Sequence, residues 1–171
     1  MIALQDNSPA VVSPGIYPML YAFFDDRGVL RQDPFRRQVD AALGTQAAGV
    51  AILGLGTEVS KLTFDERIEV LEVVAERIEG RKPLLATVYG DTITEQIEFS
   101  KRAIQSGASA LMLQPPSQKM DDAKLVGFFS EIISAVDCPV GIQNAPEFLG
   151  FGLSNQSLIA LANDHENFTI A

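Results

Sequence analysis

The amino-acid sequence predicts an α/β protein in which short buried strands alternate with amphipathic helices. Apolar runs recur along the 171 residues, and the repeat of about 30 residues is the size of one βα unit within a βαβ motif. The runs are continuous rather than alternating in polarity, which is typical of parallel strands that are covered on both faces. They lie at 16–24, 50–54, 84–88, 110–114, 139–143 and 168–171.

The first two helices are predicted from their end signals. Asp33 is placed as the N-cap of the first helix, with Pro34 at its first helical position, where no backbone N–H is needed. Thr63 and Glu66 have the spacing of a capping box at the start of the second helix, in which each side chain binds the other residue's backbone N–H. Gly80 is expected to end this helix in the left-handed conformation.

The later helices show the same signals. Thr92 and Glu95 repeat the capping box, Gly107 follows the third helix, and Ser154 opens the last helix. Each helix also carries an apolar stripe at helical spacing, which we expect to pack against the sheet. The stripes are Ile68, Leu71, Val74, Ala75 and Ile78; Ile93, Ile97 and Ile104; Leu125, Phe128, Phe129, Ile132 and Val136; and Leu158 with Leu161.

Two architectures fit this order of elements. Residues 1–14 are interpreted as a lead-in and residues 15–171 as one domain. The domain is either an open doubly wound sheet of six strands, or a (β/α)8 barrel of about 250 residues of which this chain holds five βα units and the start of the sixth strand. Length favours the open sheet, whereas the apolar run at the end of the sequence favours the barrel. Both architectures place functional residues in the loops that follow the strands.

Composition narrows the classes of function. The net charge of −9 argues against nucleic acids and anionic membranes as partners. The sequence shows neither a signal peptide nor an apolar stretch that approaches the roughly 20 residues of a membrane span. The single cysteine, Cys138, is expected in the core, and a chain without an internal disulfide suits the cytoplasm. The single histidine, His165, is expected at the surface, so we predict no metal site, catalytic triad or cofactor.

The loop after the second apolar run is the first candidate for substrate binding. In it, Gly54 and Gly56 allow backbone amides to approach a ligand closely, and Thr57 adds a hydroxyl group. Amides that precede a helix suit a carboxylate or a phosphate. The alternative is a glycine-containing turn into a capped helix, with Glu58 and Lys61 in ion pairs at the surface.

Two further loops contribute candidate substrate-binding residues. Gln114 and Gln143 end neighbouring strands, so both amides can point at one ligand; alternatively, the backbone satisfies them. Ser117 lies at the tip of the proline-stiffened loop after Gln114. Phe148 and Leu149 are expected to cap a pocket or to pack on a neighbour.

Four segments together resemble the dihydrodipicolinate synthase / N-acetylneuraminate lyase family of Schiff-base aldolases. The resemblance runs from about Gly15 to Ala171, and the order and spacing of the segments imply the (β/α)8 barrel. The segments are "GLGTEVSKLTFDER" (54–67), "GRKPLLATVYGDTITEQIEFSKRAIQSGASALMLQPP" (80–116), "CPVGIQNAPEFLGFGLS" (138–154) and "NFTIA" (167–171).

The resemblance also implies a reaction and an assembly. The expected protein is a homo-oligomer, a dimer or a tetramer built from dimers, that acts on a 2-oxo acid such as pyruvate. A lysine on the sixth strand condenses with the ketone, and the resulting iminium is the electron sink for carbon–carbon bond formation or cleavage. In the family this lysine follows a motif that "NFTIA" matches, so it is expected directly after Ala171.

Several positions depart from the family pattern. Leu55 and Gly56 replace two hydroxyl residues that orient substrate, although the backbone amides of this loop remain. Gln143 stands at the position of a tyrosine that shuttles protons, and an amide cannot act as a general acid or base near neutral pH. Ser117 stands at the position of a second tyrosine, and Phe148 at that of an arginine that binds a second carboxylate. The sequence therefore predicts a divergent member with a less polar pocket.

Three hypotheses remain open. The first, which we favour, is a divergent Schiff-base lyase or aldolase that acts on a pyruvate-like 2-oxo acid. The second is a non-catalytic relative that binds a small acid, which the loss of the tyrosine at Gln143 motivates. The third is an incomplete barrel of 171 residues that acts through self-association, because both edges of its sheet would be unpaired. Lys61 and Lys119, in loops at the same end, are alternative nucleophiles.

Overall fold

A computed structural model describes residues 12–170 of the chain, so most of the predicted lead-in lies outside the described residues. Within this range, no helix combines the length and the apolar character that a bilayer span requires. The helices are α1 (Gln32–Leu43), α2 (Phe64–Ile78), α3 (Ile93–Gln105), α4 (Asp122–Ser134), the short α5 (Pro146–Leu149) and α6 (Asn155–Asp164). The strands are β1 (Val50–Ile52), β2 (Leu84–Val88), β3 (Ala110–Leu113), β4 (Val140–Ile142) and β5 (Phe168–Ile170).

The five strands form one parallel sheet in the order β1-β2-β3-β4-β5. Each strand therefore pairs with its neighbours in the sequence, as the strands of a (β/α)8 barrel do. In a doubly wound sheet the order reverses at a switch point, and no reversal occurs among these strands. The sheet order thus decides between the two predicted architectures in favour of the partial barrel.

The first apolar run, predicted as a strand over 16–24, lies beside β1 but is not a regular strand. Met19 forms a single parallel bridge with Ala51, and the Leu20 N–H donates to the Ala51 carbonyl at 2.9 Å. Pro18 has no N–H to donate, which limits the pairing of this outer segment. The run ends in an antiparallel bridge between Phe24 and Leu30. The outer segment occupies the place of the first barrel strand, which makes β5 the sixth.

The helix ends follow the sequence signals with two corrections. The capping box of Thr63 and Glu66 is present, and Gly80 has a φ of +68°. Asp33 is not an N-cap, because α1 begins at Gln32 after Arg31. The first-turn N–H groups need no intrahelical acceptor, so Pro34 fits as the third helical residue.

The second correction concerns the start of α3. The Thr92 side chain accepts a hydrogen bond from the Glu95 N–H, as predicted. The Glu95 carboxylate, however, does not complete the capping box with the Thr92 N–H. Its Oε1 binds the guanidinium of Arg67 at 2.7 Å, and its Oε2 accepts from the N–H of Asp91, one residue earlier, at 3.3 Å.

The apolar stripe of α4 is buried as predicted, but that of α3 is not the most buried face of its helix. The three isoleucines of α3 are only partly buried at the margin of the core. The fully buried residues of α3 are Gln96, Phe99, Ser100 and Ala103. Gln96 lies on this buried face, where its amide donates to the carbonyls of Gly90 and Gln114, and the isoleucines lie to the side of it.

Cys138 and His165 both lie near the amino ends of strands, away from the loops that were predicted to bind substrate. Cys138 is buried, as expected, and burial followed by the charge of Asp137 raises the pKa of its thiol to about 11. The thiol is therefore protonated and unreactive near neutral pH. His165 was expected at the surface, but it is half-buried and its Nε2 lies 2.9 Å from the Ser130 hydroxyl oxygen.

Lys82 ties the end of α1 to the start of β2. Its ammonium donates hydrogen bonds to the carbonyls of Ala42, Thr45 and Ala47 at 3.1, 2.8 and 2.7 Å. A cation at a helix C-terminus also interacts favourably with the helix dipole. We expect Lys82→Met to lower the free energy of unfolding by about 1.5 kcal/mol in urea denaturation. Lys101→Met, at an exposed helical position, is the control and should change it by less than about 0.5 kcal/mol; equal effects would contradict the capping role.

Candidate active site

A cavity of about 240 Å³ opens at the carboxyl ends of the strands. Loops that follow β1, β2, β3 and β4 form its walls, and the lining is mostly apolar with a few neutral polar groups, which is typical of a small-molecule site. A larger cavity of about 490 Å³ lies beside the outer segment and α1, away from these strand ends. The residues that line the smaller cavity are Leu55, Ser60, Tyr89, Gln114, Pro115, Pro116, Ser117, Gln143, Ala145, Leu149 and Phe151.

Strand register places three polar side chains of this cavity in one row. Val88 pairs with Leu113, which pairs in turn with Ile142. The next residue of each strand is therefore level with the others: Tyr89, Gln114 and Gln143. Side chains at equivalent positions of paired strands point to the same face of a sheet. All three line the cavity.

The two glutamine amides of the row bind each other. The Gln114 Nε2 donates to the Gln143 Oε1 at 2.7 Å, and Gln114 is buried. Behind them, the fully buried Gln96 donates from its Nε2 to the carbonyls of Gln114 and Gly90, both at 2.9 Å. The expected proximity of the strand-end amides is therefore present, and Gln96 fixes the backbone that carries one of them.

The loop after β1 contributes two side chains to the cavity, those of Leu55 and Ser60. Leu55 is half-exposed and lines it, whereas the buried Thr57 hydroxyl donates to the Leu20 carbonyl at 2.5 Å. The Thr57 N–H donates to the Gly54 carbonyl within the turn. Gly56 faces the outer segment, since a Cβ there would lie 3.2 Å from the Met19 Cγ. Thr57 and Gly56 thus contact the outer segment, and the predicted ion pair of Glu58 and Lys61 forms at the surface at 2.6 Å.

Ser117 links the loop after β3 to the loop after β2. Its N–H donates to the Asp91 Oδ1 at 2.8 Å. This hydrogen bond, followed by one from the Ser117 side chain, holds the pKa of Asp91 below its usual value. Burial, followed by the charge of Asp91, raises the pKa of Tyr89, while a hydrogen bond with the Ser117 side chain opposes the rise. Ser117 and Asp91 are therefore hydrogen-bonded to each other beside Tyr89 at the cavity wall.

Sequence reasoning missed Tyr89, although a signal was present. Tyr89 follows the third apolar run directly, as Gln114 and Gln143 end two later runs. The rule that selected the glutamines, namely a polar side chain at a strand end, selects Tyr89 as well. Tyrosine is intermediate between core and surface residues in its burial, so its position alone does not mark it as a cavity residue.

Arg67 of α2 holds Tyr89 from behind. Its side chain is 6% exposed and donates to the carbonyls of Tyr89 and Thr63 as well as to Glu95. The guanidinium carbon lies 5.5 Å from the centre of the Phe64 ring and 5.8 Å from that of Tyr89. The charge of Arg67 is therefore compensated by Glu95 and two aromatic faces, and it is not among the groups that line the cavity.

Comparison with known families gives the classification. The model of the dihydrodipicolinate synthetase family matches residues 13–169, nearly all of the chain. The chain belongs to this family. The membership predicted from the four sequence segments is thus confirmed, and so is the partial (β/α)8 barrel.

Family relatives with different reactions are similar to this chain. It is 31% identical over 141 residues to the 4-hydroxy-tetrahydrodipicolinate synthase of Pelobacter propionicus, covering 82% of this chain and 48% of that one. It is 28% identical to the putative 2-dehydro-3-deoxy-D-gluconate aldolase YagE of Escherichia coli, covering 90% and 51%. It is 29% identical to the L-2-keto-3-deoxyarabonate dehydratase of Azospirillum brasilense, covering 89% and 50%. The chain spans about half the length of the curated relatives it matches.

Solved structures of the family agree with the fold. The crystal structure of YagE in complex with pyruvate superposes with a TM-score of 0.86 at 28% identity, covering 91% of this chain and 53% of that one. A dihydrodipicolinate synthase from Aquifex aeolicus superposes with a TM-score of 0.85 at 23% identity, covering 91% and 53%, and shows the fold alone. In the family barrel, the candidate site of this chain therefore occupies the carboxyl end, where barrel enzymes carry their active sites.

In the loop after β4, the Leu149 side chain lies in the cavity and the Phe148 side chain lies at the surface. Leu149 lines the cavity, in accord with the expectation that it caps a pocket. Phe148, predicted to stand in place of a family arginine, is 78% exposed. None of the side chains that line the cavity is charged near neutral pH. Among the described residues, the cavity therefore offers hydrogen-bonding groups but no cation.

Proposed function

We propose that this protein is a Schiff-base lyase or aldolase that acts on a pyruvate-like 2-oxo acid. The row of Tyr89, Gln114 and Gln143 in an otherwise apolar cavity carries the proposal, because a few neutral hydrogen-bonding groups suit a short oxo acid. The reactions named for the relatives, a synthase, an aldolase and a dehydratase, support the class. YagE, which superposes well, was crystallised with pyruvate.

The proposed nucleophile is a lysine directly after Ala171. Gly141 pairs with Ile170, so continuing this register by two residues sets that lysine level with Gln143. The lysine would then extend the row of polar side chains to the sixth barrel strand. An amine in a mostly apolar cavity has a lowered pKa and is more nucleophilic, which favours imine formation. A homo-oligomer and a cytoplasmic location remain part of the proposal.

A second candidate function is the binding of a small acid without turnover. The hydrogen bond between Gln114 and Gln143 favours it, because neither amide can transfer a proton near neutral pH. In that case the protein binds 2-oxo acids reversibly and forms no covalent adduct. The two candidates therefore differ in one observable, a reducible imine.

The deciding experiment is the intact mass of the full-length protein after incubation with 2-oxo acids and borohydride. Pyruvate and longer 2-oxo acids are each tested, with a sample lacking borohydride as the control. We expect one reduced adduct per chain with at least one acid, mapped by peptide analysis to the lysine after Ala171. Reversible binding without an adduct would instead establish the second candidate.

Two lysines serve as matched controls for the site of attachment. Lys61 and Lys119 lie in loops at the same end of the sheet as the cavity. Lys61→Met and Lys119→Met are expected to form the adduct to the same extent as the wild type. Loss of the adduct in either variant would transfer the role of nucleophile to that lysine and overturn the assignment to the sixth strand.

A further inference from the structure

Among the described residues that line the cavity, one side chain is ionisable. This side chain is Tyr89; the others are aliphatic or aromatic hydrocarbons, prolines, glutamines and serines. Serine hydroxyls and glutamine amides do not ionise near neutral pH. Among the described residues of the lining, Tyr89 is therefore the side chain suited to give a proton to a bound molecule.

Tyr89 is held in position from two sides. Arg67 binds its backbone carbonyl and stacks near its ring, with 5.8 Å between the guanidinium carbon and the ring centre. On the other side lies Ser117, which lines the same cavity and is fixed by the bond from its N–H to Asp91. A phenol packed between fixed neighbours presents its proton in a limited range of directions, which is what proton transfer to a bound substrate requires.

The surroundings keep the phenol protonated. Burial and the charges of Asp91 and Glu95 raise the pKa of Tyr89, whereas Arg67 and the Ser117 hydrogen bond lower it, and the net change is upward. Because the pKa of Tyr89 is raised, its phenol is a neutral proton donor at neutral pH and loses its proton only at alkaline pH. Tyr89 is thus suited to donate a proton and not to accept one in its resting state.

We infer that Tyr89 is the catalytic acid of this site and that Ser117 connects it to solvent. The inference rests on the proposed Schiff-base function, because it assigns a proton source to the condensation of a primary amine with a 2-oxo acid. In that condensation the amine nitrogen bonds to the ketone carbon, and a proton moves from nitrogen to oxygen to give a carbinolamine. Tyr89 then protonates the hydroxyl group, which leaves as water while the nitrogen lone pair forms the iminium bond. The phenolate recovers a proton from solvent through Ser117.

The test is the rate of imine formation in the full-length protein carrying Tyr89→Phe, which removes the hydroxyl and keeps the ring. Imine formation with pyruvate is followed by timed borohydride trapping and intact mass, over a range of pH. We expect the rate to fall by about 10²- to 10³-fold, the typical contribution of a positioned acid. The wild-type rate should fall at alkaline pH as the phenol ionises, and this limb should be absent from Tyr89→Phe. Tyr21→Phe, at a tyrosine that is 57% exposed, should behave as the wild type.

The outcomes separate this inference from the proposed function. A wild type that gains no adduct with any 2-oxo acid overturns the proposed function and the catalytic role together. An adduct that forms equally fast in the wild type and in Tyr89→Phe overturns the role of Tyr89 alone. A slower Tyr89→Phe that keeps the alkaline limb assigns Tyr89 a merely structural role and also overturns the inference. The circular dichroism spectrum of each variant verifies that it is folded. For Ser117→Ala we expect a smaller loss of rate, with the fall in rate at alkaline pH retained.

Discussion

Replacing Arg67 by methionine is expected to lower the free energy of unfolding by about 3–5 kcal/mol, the cost of breaking a buried ion pair from one side. The side chain of Arg67 is 6% exposed, and it donates hydrogen bonds to the Glu95 carboxylate and to the carbonyls of Thr63 and Tyr89. Methionine fills a similar volume, so most of the loss comes from leaving these acceptors without their donor. Because Tyr89 depends on the same guanidinium, the variant should also form the proposed imine more slowly.

Urea denaturation of Arg67→Met against Arg102→Met measures this effect. Arg102 pairs with Glu72 at 3.1 Å, but the two side chains are 47% and 57% exposed. Solvent screens such a pair, so Arg102→Met should cost less than about 1 kcal/mol. Adding Glu95→Gln to Arg67→Met should restore part of the stability, since it removes the uncompensated charge. Similar losses of unfolding free energy for Arg67→Met and Arg102→Met would contradict the stabilising role of the Arg67–Glu95 pair.

The second large effect is expected for Gln96→Glu. Gln96 is fully buried, and both of its hydrogen bonds are donated to carbonyls, those of Gly90 and Gln114. A carboxylate of the same shape can donate neither bond and places negative charge against two carbonyl oxygens. At neutral pH we expect a loss of about 3 kcal/mol beyond that of Gln96→Met, which removes the bonds without adding charge.

This loss should depend on pH in a defined direction. Burial raises the pKa of the new carboxyl group above its value in the unfolded chain, so the folded state binds more protons. Stability is therefore best retained below the unfolded pKa and falls as the pH rises through the folded pKa. The free energies of unfolding of Gln96→Glu and Gln96→Met, measured in urea, should accordingly differ less near about pH 5 and more near about pH 8. A difference in the free energy of unfolding that stays constant across this pH range would contradict the burial of an unpaired carboxylate at position 96.

Elements whose signals are local could be predicted from the sequence. The capping box at Thr63 and the stripe of α4 depend on residues within one or two turns, and both are present. The doubly wound sheet and the barrel share these local signals, so the choice between them needed the strand order or the family resemblance. The N-cap predicted at Asp33 is wrong, because α1 begins one residue earlier, at Gln32, shortly after the antiparallel bridge between Phe24 and Leu30.

The candidate site was predictable only in part. Gln114 and Gln143 were found because the residues at the ends of consecutive strands become neighbours wherever those strands pair in the order of the sequence. The roles of Arg67 and Gln96 could not be found, since polar residues on a predicted helix are expected to face solvent. Their partners are loop carbonyls and a carboxylate, which only tertiary structure brings together. Thr57 was likewise expected to face a ligand, whereas its hydroxyl donates a hydrogen bond to the Leu20 carbonyl of the outer segment.

The sequential order of the strands has a consequence for how the chain acquires its structure. Each strand pairs with the one synthesised just before it, so every new unit closes a loop of only about 30 residues, at a small entropic cost. A nascent chain can therefore add one βα unit after another to a single growing edge while the ribosome is still at work. Such short-range pairing favours rapid folding compared with sheets whose neighbouring strands are distant in the sequence. The lifetime of each unpaired edge is then set by the pace of translation, not by a search through distant parts of the chain.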